Sequence, residues 1–266
     1  MNKKIGFIGC GNMGKAMLGS LVKAESIDKQ NIIVSTKSKE SAEKIKSKYG
    51  VSTTINNTEV AKNSDILFLA VKPYFFEEVV KEIRSTISKE TIIVSIAAGV
   101  TINDIEEWFD SEIKVVRTMP NTPCLVGEGM SAICPNNKVS QEELKEVCYL
   151  YDLFGKYELL EEKDFHAFIA LCGSSPAYMF MFIEAMADAG VKLGLPRVKA
   201  YKMAEQSMLG AAKLALETGK HPGVLKDEVC SPGGTTIEAV IDLERSGFRS
   251  AVASAIEKCA DKSKSM

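Results

Sequence analysis

Strand-like stretches rich in apolar positions lie in the first part of the chain at residues 5–8, 32–35, 66–70, 92–96 and 114–118. The 66–70 stretch is a continuous apolar run, of the kind found buried in a parallel sheet. Between them the spacing predicts helices over 16–23, 41–49 (stopped by Gly50), a short segment opened by Asn57, then 75–87 and 102–109. A short strand at 51–54, a strand at 130–134, a helix over 141–154 and a strand at 157–160 complete an α/β unit. From Lys163 onward strand signals vanish. Helices are predicted over 176–193, ending at Gly194, and over 197–217, introduced by Pro196. The pattern therefore predicts two domains, an α/β domain at 1–162 and an all-helical one at 163–266.

The first strand runs into Gly9, Gly11 and Gly14, which follow the spacing G-x-G-x-x-G. Such glycines let a strand turn tightly, bring backbone close to a pyrophosphate and pack the next helix on the sheet. The N–H groups opening that helix then face the phosphates. A tight turn without a ligand gives the same three glycines, but the strand before and the amphipathic helix after favour a dinucleotide-binding unit. The second strand decides which dinucleotide. An acid about 20 residues past the glycines binds a free ribose 2′-hydroxyl. Here Thr36, Lys37, Ser38 and Lys39 follow the strand, and no acid comes before Glu40. NADPH is expected, with NADH left open.

Ligands in parallel sheets bind beyond the carboxyl ends of the strands. Lys72 follows the 66–70 strand, the Ala97-Ala98-Gly99 turn follows 92–96, and Met119-Pro120-Asn121-Thr122-Pro123 follows 114–118. Three strand ends thus converge on one crevice, with Lys72 and Asn121 as candidate contacts. Lys72 reads equally as a solvated lysine, and Asn121 as the brace of a proline-rich turn.

In the second domain Ala200, Ala204, Ser207, Gly210, Ala211 and Ala215 place small side chains along one helix, which permits close helix contact and suggests dimerisation. The run Ser231-Pro232-Gly233-Gly234 cannot continue a helix, whereas Thr235 and Thr236 begin one. Backbone N–H groups and hydroxyls therefore meet at a helix start, a small anion site suited to a carboxylate or simply a well-made helix start. Residues 167–183 carry no charge and border on membrane-spanning length. Gly173-Ser174-Ser175-Pro176 interrupts them, predicting two short helical pieces forming a buried pair.

A hydrophobic share of 45% and a net charge of −2 describe an ordinary soluble globular protein, without the basic excess of nucleic-acid binders. No nucleic-acid or membrane partner is expected. The start of the chain passes straight into a strand with no apolar leader, so a cytoplasmic location is expected. Seven scattered cysteines without a C-x-x-C pair fit a reducing compartment and predict neither a disulfide framework nor a metal site.

The stretches IGFIGCGNMG, LFLAVKP, SIAAGVTI, RTMPNTP, GSSPAYMF, GVKLGLPR and HPGVLKDEVCSPGGTTIEAV closely resemble the pyrroline-5-carboxylate reductase family. The resemblance runs from Ile5 to the final helices, and the last stretch is the family's own signature. It implies a Rossmann domain followed by a helical dimerisation domain, with rings of dimers in some members. It also implies NADPH-dependent reduction of Δ1-pyrroline-5-carboxylate to L-proline, the last step of proline synthesis. Carried over by position, it places cofactor contacts at Ile8, Gly9, Cys10, Gly11, Asn12 and Met13, at Thr36 and Asn57, at Ala70, Val71, Lys72 and Pro73, and at Ser95, Ala97 and Ala98. Gly14, Lys37 and Asn121 join them from the residue reading above. Substrate contacts fall on Val229, Ser231, Gly234, Thr235 and Thr236. The chain departs from the family at the start of the second domain, where HAFIALCGSSPAY stands for DAVTALSGSGPAY. His166, Phe168, Ile169, Cys172 and Ser175 are unusual, and Glu228 stands where some relatives have asparagine.

With only two histidines, His166 and His221, general acids are scarce. An imine reduction needs few, because a protonated ring nitrogen already draws hydride to the adjacent carbon. The protein mainly holds the reactants in contact. The substrate carboxylate is expected on the N–H groups of the 231–236 loop, and the Thr236 hydroxyl on the ring nitrogen. A β-hydroxyacid dehydrogenase is the alternative enzyme, but it requires a lysine with an asparagine four residues on in the second domain, and no asparagine follows Asn137. A non-catalytic NADPH-binding regulator is the alternative of another class.

Overall fold

The computed structural model describes residues 2–265 and divides into two compact units. The first extends to Gly173 and includes the residues from Lys262 onward, while the second is 174–261. In chain order the first unit contains β1 (Ile5–Ile8), α1 (Asn12–Leu21), β2 (Ile32–Ser35), α2 (Lys39–Tyr49), β3 (Ser52–Thr54), α3 (Asn57–Lys62), β4 (Ile66–Leu69) and α4 (Phe76–Ile83). It continues with β5 (Ile92–Ser95), α5 (Ile102–Phe109), β6 (Lys114–Met119), β7 (Gly129–Pro135), α6 (Gln141–Asp152), β8 (Gly155–Leu159) and the single turn α7 (Phe165–Phe168).

The eight strands form one sheet in the order β3-β2-β1-β4-β5-β6-β7-β8. Strands β1 to β6 pair in parallel, β7 turns antiparallel to β6, and β8 runs parallel to β7. The order reverses between β1 and β4, so a crevice opens beyond their carboxyl ends, where open α/β sheets bind ligands.

Alternation of side chains divides each buried strand between two cores. Ile5, Phe7, Ile66 and Phe68 pack on one face, and Ile8, Leu67 and Leu69 on the other. Phe7 and Phe68 stack with ring centres 4.7 Å apart. Reciprocal capping boxes at Thr101 with Asp104 and Ser140 with Glu143 start α5 and α6, and Gly50 in the left-handed conformation ends α2. Helix α4 stops at Ile83, short of the predicted 87. Ile87 still packs on the core from the turn that follows, so the apolar pattern outlasts the helix.

The second unit holds α8 (Ser175–Lys192), α9 (Arg197–Thr218), α10 (Pro222–Glu228), α11 (Thr235–Arg245) and most of α12 (Phe248–Lys264). Small residues bring α8 and α9 together: Ala187, Ala200 and Ala204 are buried, and a Cβ placed on Gly190 would lie 3.3 Å from that of Ala200. The expected break at 173–176 is a bend at Ser174. A π-helical turn (Ile169–Gly173) follows α7 and ends there, and α8 opens at Ser175 with Pro176 in its first turn, as one long helix rather than a short piece. The expected burial of this stretch is found only in part, at Phe168 and Ala170. Glu162–Lys192 is long and apolar enough to cross a membrane by length and composition, yet Phe180 and Met181 are 62% and 67% exposed.

Candidate active site

Beyond β1 and β4 the first unit contains a cleft of about 1020 Å³. Its floor is the glycine turn. Gly9 adopts φ +80°, and a Cβ there would meet the Ala70 carbonyl oxygen at 2.8 Å, so the strand can turn this closely only without a side chain. Gly11 caps α1 from open space, with no atom within 4 Å of a Cβ built on it. No side chain caps α1 and its first turn carries no acid, so the N–H groups of Asn12, Met13 and Gly14 are available to an anion. Burial pushes the Cys10 thiol up to about 11, the Lys15 charge only partly opposing it, so no thiolate stands beside that anion. These features fit a dinucleotide pyrophosphate.

At the β2 end Thr36 and Lys37 line the cleft, as does Asn57. The Thr36 hydroxyl donates to Ser38 O (3.0 Å), and the Lys37 ammonium stands 5.3 Å from the centre of the Phe75 ring. Asn57 is held at both ends: Ser35 Oγ donates to its Oδ1, and its Nδ2 donates to Glu82, each at 2.7 Å. The opposite end is lined by Ala70, Val71, Lys72 and Pro73 after β4, by Ala97 and Ala98 after β5, and by Thr122 and Leu125 after β6. Of the cofactor contacts expected from the sequence, Ile8, Gly9, Cys10, Gly11, Asn12, Met13 and Gly14 also line this one cleft. Ser95 and Asn121 do not. Ser95 is fully buried beneath the Ala97 turn, and both ends of the Asn121 amide bind backbone.

Sequence reasoning missed Ser41, Lys44 and Ile45, which line the β2 end together. Their i, i+3, i+4 spacing on α2 is the signal that could have found them. It also missed Glu82, which sits one turn beyond Glu78 on α4 and shares the cleft.

In the second unit the 231–236 loop is a tight turn closed by Gly234 N–H donating to Ser231 O (3.0 Å). A Cβ on Gly234 would lie 2.4 Å from Ser231 Oγ and 3.1 Å from Ser231 O, so a side chain there would displace the serine hydroxyl and crowd the turn. Gly234 caps α11 and no side chain does, which leaves the first N–H groups of that helix uncapped. No hydrogen bond among the described residues engages the Thr235 or Thr236 hydroxyl. Thr236 is half-buried, whereas Ser231, Thr235 and Val229 are exposed.

The full-length comparisons decide the family. Residues 162–266 match the family described as pyrroline-5-carboxylate reductase dimerisation, and residues 4–99 match NADP oxidoreductase coenzyme F420-dependent. The pyrroline-5-carboxylate reductase of Escherichia coli strain K12 is 48% identical over 266 residues, covering 100% of this chain and 99% of that protein. The chain belongs to the pyrroline-5-carboxylate reductase family. Solved family structures agree. The Coxiella burnetii pyrroline-5-carboxylate reductase superposes with a TM-score of 0.94 at 34% identity, covering 100% of this chain and 98% of that one. A Plasmodium falciparum pyrroline carboxylate reductase, solved with NADP bound, gives 0.89 at 35% identity, covering 99% and 98%. The first unit is thus the Rossmann-type domain of the family, and the helical domain is its dimerisation module.

Against that background, two of the departures from the family pattern pack within the first unit. Phe168 is buried and Cys172 half-buried in a cluster with Ala132 and Phe165. His166 Nδ1 lies 2.9 Å from Ser263 Oγ, and His221 accepts the Gly223 N–H at 3.1 Å as the cap of α10. Glu228 pairs with Lys220 at 2.6 Å. Both histidines thus have structural partners.

Proposed function

We propose that this chain reduces Δ1-pyrroline-5-carboxylate to L-proline, with the dinucleotide in the cleft of the first unit and the substrate carboxylate on the 231–236 loop. The observation that carries the reading is that loop: an uncapped helix start bearing two threonine hydroxyls without hydrogen-bond partners among the described residues. NADPH, when bound, supplies the hydride. The N–H groups opening α1 would hold its pyrophosphate, and Thr36, Lys37, Ser41 and Lys44, which line the β2 end of the cleft, would receive the 2′-phosphate.

The N–H groups of α11 hold the substrate carboxylate, and the helix field favours its charge. Glu238, exposed in the first turn, lessens that field without blocking the N–H groups. The Thr236 hydroxyl orients the ring nitrogen, whose proton makes the neighbouring carbon electrophilic. No histidine is required. Thr236→Ala is expected to cost about 1 to 3 kcal/mol of transition-state stabilisation, roughly 5- to 150-fold in kcat/KM, with NADPH affinity unchanged. Steady-state kinetics beside Thr235→Ala and a thermal melt test this. A lowered melt with full kcat/KM would remove Thr236 from the reaction.

The working unit we infer is a homodimer. Met179, Phe180, Met181, Leu209 and Leu214 of α8 and α9 are exposed in the single chain, and a patch of this kind marks an interaction surface. Gly210 lies in that region, with open space above it. Rings of dimers, which the family resemblance implies for some members, are the further expectation. Gly210→Leu is expected to raise the dimer dissociation constant by about 100-fold or more, as an obstructed helix contact costs several kcal/mol. Sedimentation velocity reads it, and a wild-type protein that is an active monomer would contradict the dimer. The proposed compartment is the cytoplasm, which suits seven cysteines that are all free.

A further inference from the structure

We propose that Asn121 is a positioning residue, a buried clamp that braces the Thr122–Val126 turn at the edge of the cleft by binding the carbonyl that Pro176 leaves without a helical partner; this rests on the function proposed above. In an α-helix the carbonyl of Cys172 would accept from the N–H of residue 176, and proline has none. The next N–H, that of Ala177, is given to Ser174 O at 3.1 Å. Asn121 Nδ2 donates to Cys172 O at 2.9 Å, and its Oδ1 accepts the Met130 N–H, also at 2.9 Å.

Asn121 is 7% exposed, so both groups are satisfied away from water, where an unmet partner is costly. Its own carbonyl accepts from Cys124 N–H at 3.2 Å and starts the turn. The turn is tied back to α1 by Ser20 Oγ, which donates to Cys124 O at 3.2 Å. Thr122 and Leu125 on this turn line the cleft. Asn121 thus touches no ligand space itself but fixes two residues that do.

The test combines kinetics, NADPH titration by cofactor fluorescence and amide hydrogen exchange on wild type, Asn121→Ala and Asn121→Asp. The aspartate keeps the acceptor for Met130 and loses the donor to Cys172, so it also serves if the alanine variant fails to fold. The clamp predicts kcat lower by about tenfold, an NADPH dissociation constant within about threefold of wild type, and faster exchange at Met130 and Cys124. A direct cofactor contact would instead weaken NADPH binding about tenfold with kcat at saturation intact. A purely structural role would lower the melt with kcat unchanged. Either result overturns the proposal.

Pro176→Ala restores an N–H for the Cys172 carbonyl. In that background Asn121→Asp should lose at least about threefold less in kcat and in exchange protection, a coupling read by the double-mutant cycle. Equal losses in both backgrounds would refute the link. If wild type fails to turn over pyrroline-5-carboxylate, the proposed function falls, while the exchange cycle alone still decides the clamp.

Discussion

Gly11→Val is expected to abolish dinucleotide binding while leaving the fold in place. The space above Gly11 is open, and its backbone, at φ −70°, is one that any residue adopts. A branched side chain there meets no protein atom but fills the space over the N–H groups that open α1. NADPH affinity should fall by about 100-fold or more, roughly 3 kcal/mol. The fold should lose only about 1 kcal/mol, the usual cost of a poor N-cap. Gly9→Ala is the contrasting case. It forces a Cβ to 2.8 Å from a backbone oxygen at positive φ, so the fold itself should weaken. Fluorescence titration and a thermal melt separate the two, and NADPH binding by Gly11→Val within about threefold of wild type would move the pyrophosphate elsewhere.

Thr36→Asp is expected to reverse the cofactor preference from NADPH to NADH. In wild type no acid comes between β2 and Glu40, which pairs with Lys44 at 2.6 Å, and Lys37 and Lys44 line that end of the cleft. An aspartate there faces the 2′-phosphate as a like charge, which costs several kcal/mol, yet it can accept from a free 2′-hydroxyl. The ratio of kcat/KM for NADPH over NADH should drop by about 100-fold or more. Better efficiency with NADH in the wild type would contradict this assignment of the cleft.

Much of this arrangement was legible because it is local. Strand β4 falls where the continuous apolar run at 66–70 predicted it, since a strand covered on both faces shows mainly apolar positions. The glycine turn carried its own geometry in the spacing of Gly9, Gly11 and Gly14. Pairings across distance were not legible. Nothing adjacent to Asn121 reveals Cys172 as its partner, although Pro176 already marked a carbonyl in need of one. Glu82 meets Asn57 only because α4 returns over β4 to the same crevice. The apolar stretch in α8 was expected inside the chain, because a sequence cannot distinguish a face buried by its own fold from one left for a second copy.

The most direct test follows the near-ultraviolet absorbance of NADPH on mixing wild type with Δ1-pyrroline-5-carboxylate. The account predicts absorbance lost in step with L-proline formed, one equivalent each, and faster with NADPH than with NADH. A chain that binds NADPH yet leaves the absorbance unchanged under saturating substrate would contradict it and identify a cofactor-binding protein without the reaction.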